Sequence, residues 1–119
     1  MGYRLSNSTS DNLSNIVDGS DPAAAIDAAF AEWSNHCGIA FARGSDSTVQ
    51  NVGYDGVNLV TFANTAANRA AVGSAGARTL FWHNALNNLF EADIIFNPDV
   101  WFSTIETPDV LDIEALAAH

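Results

Sequence analysis

The sequence predicts an α/β (α+β) fold: a mixed, mostly parallel, twisted sheet of five strands with one antiparallel edge strand and two helices packed on it. Three observations lead there. A well-delimited helix stands between the first two strand-like segments, and such a connection implies a right-handed parallel crossover. Residues 57–63 are nearly apolar throughout, the pattern of a strand buried on both faces. The segments 78–83 and 89–97 are separated only by a short turn at 84–88, which implies an antiparallel pair.

Taken in order, Tyr3-Arg4-Leu5 alternates and opens the first strand, and a polar loop follows through Asp18-Gly19-Ser20. Asp21 is placed to cap a helix, Pro22 suits its first turn, and Ala23-Ala24-Ala25 continue it with high propensity. Ile26, Ala29, Phe30, Trp33 and Cys37 fall on one stripe, so this helix should bury that side, and Gly38 should end it. Residues 39–43 read as a short strand, and 44–56 as loop because of Gly44, Gly53 and Asp55-Gly56. After the strand at 57–63, residues 64–77 are rich in Ala, Gly and Asn without a clear period. Along 89–97, Phe90, Ala92, Ile94 and Phe96 share one face while Glu91, Asp93 and Asn97 share the other. Pro98-Asp99 closes that strand. Thr107-Pro108 reads as the start of a second helix, with Val110, Leu111, Ile113, Ala117 and Ala118 on its apolar side. No repeat or long linker divides residues 1–119, which read as a single domain.

The charge balance narrows the partners. Fourteen Asp and Glu stand against four Arg and no Lys, a formal charge of −10, and both nucleic acid and an anionic membrane would repel such a chain. Acids scattered along the chain suit a surface kept soluble in high salt, and clustered ones can ligate calcium. No run reaches the ~18 apolar residues of a membrane helix. With a single cysteine, Cys37, no intrachain disulfide is expected, and its place at a helix end favours a small buried hydrophobe over a reactive thiol.

Three segments, in order, resemble the matrixins of the metzincin clan of zinc metallopeptidases. They are Ala29-Phe30-Ala31-Glu32-Trp33 with Ile39-Ala40-Phe41; then Val57-Asn58-Leu59-Val60-Thr61-Phe62 with Glu91-Ala92-Asp93-Ile94-Ile95-Phe96-Asn97; and 109–119, ending Ala117-Ala118-His119. The second of these is similar to the bacterial strand pattern E-A-D-I-x-F-N. The third resembles the helix that enters the zinc motif His-Glu-x-x-His, in which two imidazoles one turn apart grip zinc and the Glu serves as base. The resemblance implies the N-terminal, upper part of such a domain, with His119 as first zinc ligand. The Glu base and two further histidines would then lie beyond His119, so the chain by itself is not expected to be an active protease. It also implies a peptide or protein substrate, received along the edge strand by Thr79, Leu80, Phe81 and Trp82. Members of the family are usually secreted, but no basic-then-apolar leader is read here and localisation stays open.

Other residues have plainer readings beside sharper ones. Glu91 and Asp93 could form a paired-carboxylate catalyst, but they read first as solvent-facing acids or calcium ligands. Asp46, Asp55 and Asn58 are possible oxygen ligands and ordinary turn residues. His36 gains from the helix dipole at a C-terminus, and His83 reads as a strand-surface residue near a structural zinc position of animal matrixins. The accompanying His-x-Asp pair is absent from 44–77. Trp33 is expected in the core. Two alternatives stand beside the peptidase: a non-catalytic α/β scaffold that self-associates through apolar surface, as a homo-oligomer that could exchange 108–119 between chains, and adventitious ester hydrolysis by a metal shared between chains at His119.

Overall fold

A computed structural model of the chain describes residues 2–7, 9, 13–37, 41–83, 89–105 and 110–118. Its elements run β1 (Gly2–Leu5), α1 (Pro22–Cys37), β2 (Ala42–Arg43), β3 (Leu59–Thr61), α2 (Ala66–Val72), β4 (Ala77–His83), β5 (Leu89–Phe96), β6 (Phe102–Ser103), β7 (Leu111–Asp112) and α3 (Ile113–Ala118). The first five strands form one sheet in the order β2-β1-β3-β5-β4. β1 pairs in parallel with β2 and β3, and β3 in parallel with β5. β4 is antiparallel to β5 and lies at the edge. The mixed sheet with one antiparallel edge strand thus forms as the sequence suggests.

α1 begins as its residues dictate. Asp21 accepts the Ala24 amide at 3.1 Å, satisfying an orphan donor of the first turn. Ala25, Ile26 and Ala29 are buried and Phe30 packs beside them, so this stripe covers one face of the sheet. Tyr3 stacks on Phe30 with centroids 4.1 Å apart, and its hydroxyl donates to Asp27 at 2.7 Å. Leu5, Val60, Phe62 and Phe96 complete the core there, with Phe102 set edge-on against Phe62 and Phe96. Trp33 departs from the expected core position: it is 40% exposed. The expectation for Cys37 concerns a side chain outside the described residues.

Three elements differ from the sequence reading. There are three described helices, the additional one being α2 in the stretch without a period. Thr65 caps it by accepting the Asn68 amide, and Gly73 ends it at φ 59°, a left-handed conformation that glycine adopts freely. Its helical signal was therefore in its ends and its alanines. β6 and β7 form a short parallel pair, Phe102 opposite Leu111. Leu111 and Asp112, expected within the second helix, are strand: α3 starts at Ile113, where Asp112 accepts the Ala115 amide at 2.9 Å, and the expected start at Thr107-Pro108 lies outside the described residues. Val110 and Leu111 therefore lie ahead of the helix, and Leu111 is exposed. α3 packs against α1, with Ile113 fully buried. No described helix is long and apolar enough to cross a membrane.

Candidate functional site

Among the described residues β4 is an edge strand of the sheet, paired with β5 on one side. Its register with β5 runs from Ala77 opposite Phe96 to Trp82 opposite Glu91, with an irregularity between Trp82 and His83. Since successive side chains alternate across a strand, Thr79 and Phe81 lie on the α1 side of the sheet with Ala92 and Ile94. Leu80 and Trp82 lie on the opposite side with Asp93 and Glu91. Trp82 approaches Tyr54 of the loop that covers that side, with ring centroids 6.3 Å apart. All four residues expected on the peptide-receiving edge are thus on β4, two on each face.

On the α1 side the sheet is not fully covered. A cavity of about 220 Å³ opens between the helix and the strands, walled by Phe30, Phe41, Val60, Thr79, Phe81 and Ile94. Phe81 at 59% exposed stands at its mouth. Phe30 and Phe41 pack on one another at 5.0 Å, which fixes the wall away from β4.

The opposite face overturns one expectation. Glu91 and Asp93 do not face solvent: they are 1% and 0% exposed. The loop between β2 and β3 lies over them, and its backbone donates to their oxygens. Asp93 accepts the amides of Gly53 and Leu59, each at 3.0 Å. Glu91 accepts those of Asp55 and Gly56, at 3.1 and 3.0 Å on one oxygen. Asn58 links the same region to the sheet, donating to the Gly2 carbonyl and accepting the Ala92 amide. Thr61 and Asn68 both donate to the Gln50 carbonyl at 2.8 Å, and Asn68 also accepts the Val52 amide. Just past the end of β5, Asn97 donates to the carbonyls of Gly73 and Ala75 and accepts the Asp99 amide. The polar members of Glu91-Ala92-Asp93-Ile94-Ile95-Phe96-Asn97 are therefore loop anchors. Each satisfies buried backbone that would otherwise cost free energy.

Burial pushes the Asp93 carboxyl up to about 6 from its ordinary 3.8. The Gly53 and Leu59 amides oppose that rise, and the nearby charges of Glu91 and Asp55 add to it. On the α1 face burial, then the bond to Asp27, holds the Tyr3 hydroxyl well above its usual value.

Asp55, Glu91 and Asp93 bring carboxylate oxygens within 4.8 Å of one another, the described group of His, Cys, Asp or Glu side chains that could hold a cation. A hard cation such as calcium takes six to eight oxygens, so this set needs further donors, and its buried oxygens already accept backbone amides. Asp55 also accepts the Val57 amide, as a turn residue does. Of the zinc expectation, His119 lies outside the described residues, as does the side chain of His83. Sequence reasoning missed Thr61, Gln50 and Asn68 as clamps. The available signal was one hydroxyl, Thr61, inside an otherwise apolar strand.

Comparison with protein-family models, curated proteins and solved structures finds no match. The resemblance rests on the residues quoted for it.

Proposed function

We propose that the chain is the peptide-receiving part of a matrixin-type zinc endopeptidase framework. In this reading β4 takes an extended peptide as an added strand, and α3 leads to His119 as the first zinc ligand. The observation that carries it is the position of β4: the antiparallel edge strand, paired with β5 on one side among the described residues, beside an open apolar cavity. An edge strand offers main-chain hydrogen bonds to such a peptide, and its alternating side chains divide the contacts between two faces. Asp112 supports the second element by starting a helix one residue before Ile113-Glu114-Ala115-Leu116-Ala117-Ala118, the run that resembles the family's zinc helix.

Zinc held there would lower the pKa of a bound water to ~7 and so generate the attacking hydroxide. The residues of this chain bind and orient: β4 fixes the peptide's direction and register, and the β5 anchors keep the sheet beneath it from shifting. Hydrolysis requires a Glu base and two more imidazoles after His119. The test is the complete reading frame and its product. A His-Glu-x-x-His continuation is expected, with cleavage of an internally quenched peptide that a chelator abolishes and zinc restores. A reading frame that lacks that continuation overturns the endopeptidase reading.

A further inference from the structure

We infer that the β4 site selects basic peptides carrying one bulky apolar side chain, and that this side chain enters the cavity between α1 and the sheet. The inference rests on the strand-addition reading above and names the substrate class of that site.

Size decides what the cavity takes. At about 220 Å³ it is smaller than the ~300–1,000 Å³ typical of whole small-molecule sites, so it suits one side chain presented from a chain outside it. Its lining is mostly apolar, with Phe30, Phe41, Val60, Phe81 and Ile94 forming the walls and Tyr3, Asn58, Thr79 and Glu91 the polar members. Thr79 and Phe81 sit on the edge strand itself, on the cavity side. A strand added beside them directs alternate side chains toward that same face, so a long apolar residue can reach over β4 into the space. Phe81, exposed at the mouth, gives such a residue an aromatic surface to cross.

Charge decides the flanking residues. The chain carries −10, and its arginines leave the α1 face without an unneutralised cation among the described residues. Arg43, which shares that face, is held by Asp27 at 2.8 Å and Asp46 at 2.9 Å. Arg69 pairs with Asp99, and Arg78, which donates to the Ala71 carbonyl, lies on the face of β4 away from α1, alternate to Thr79. Arg4 points to the other side, since its neighbours Tyr3 and Leu5 take the α1 side. A peptide with lysines or arginines beside the apolar residue therefore meets a complementary field, and an acidic one is repelled.

The experiment is fluorescence anisotropy with three labelled decapeptides at low ionic strength: basic with a central phenylalanine, basic with a central alanine, and acidic with a central phenylalanine. The first is expected to bind best. The alanine peptide should be weaker by about ten- to a hundredfold, the loss of one buried aromatic side chain. The acidic peptide should be weaker by about tenfold or more, and that gap should close as salt screens the charges. Ala92→Leu, which fills the cavity from β5, should remove the preference for phenylalanine while leaving the charge preference. Phe81→Ala, which removes an aromatic wall at the mouth, should weaken the phenylalanine peptide while leaving the alanine peptide unchanged. Equal binding of all three peptides overturns this inference and leaves strand addition standing. Binding of none overturns strand addition, and the inference with it.

Discussion

Glu91 and Asp93 hold a loop whose backbone amides, once carried out of water, need acceptors. A carboxylate is a strong one, and each here accepts two amides from residues 34 to 40 positions away in sequence. Asp93 does this at a cost that depends on pH. Its pKa in the folded chain, about 6, lies above its ordinary 3.8, so folding favours the neutral form. The stability this group contributes is fully present below about pH 4 and is lost as pH rises through about 6. The gap is worth roughly 3 kcal/mol. Urea unfolding of the wild type and of Asp93→Asn between about pH 4 and pH 7 should therefore differ in slope, the wild type losing more stability as pH rises. Parallel pH profiles for the two proteins would show that Asp93 titrates normally.

At the scale of the element, helix ends explain where structure starts. α1, α2 and α3 each open on a side-chain oxygen, from Asp21, Thr65 and Asp112, that accepts an amide three residues on. α3 is too short to be stable alone, so it depends on its cap and on Ile113 buried against the core. Asp112→Ala is expected to lower stability by about 1 kcal/mol in urea unfolding, with a similar loss for Thr65→Ala. An unchanged unfolding midpoint in Asp112→Ala would mean the helix is held by packing alone. β4 and β5 form the longest pairing in the sheet, and the outer edge of β4 is the surface on which both functional proposals rest.

For the whole molecule, 14 acids on 119 residues repel one another in dilute buffer, and only three exposed ion pairs are described to offset this. Such pairs contribute little singly. Added salt screens the repulsion, so the melting temperature is expected to rise from 0.1 M to about 2 M NaCl, and a flat profile would argue against salt adaptation. The same screening should expose a second property. Trp101, Ile105 and Leu111 are 57%, 54% and 44% exposed around the β6–β7 pair, an apolar surface of the kind that drives association. Light scattering at micromolar concentration should find a homodimer or larger assembly, more so in high salt; a monomer's mass throughout would dismiss that surface as an interface.

The sequence by itself determined α1, the buried strand around Leu59–Thr61 and the β4–β5 antiparallel pair, since a cap, an apolar run and a short turn are local signals. It also determined that Glu91, Asp93 and Asn97 share one face. Only the tertiary structure decided that this face is buried, because alternation says which residues lie together and nothing about what covers them. The cover comes from Gly53, Asp55 and Gly56, brought across the sheet by chain tracing that no local pattern encodes. The start of α3 was settled likewise: Leu111 and Asp112 have a strand to pair with in β6, and Asp112 then caps the helix that follows.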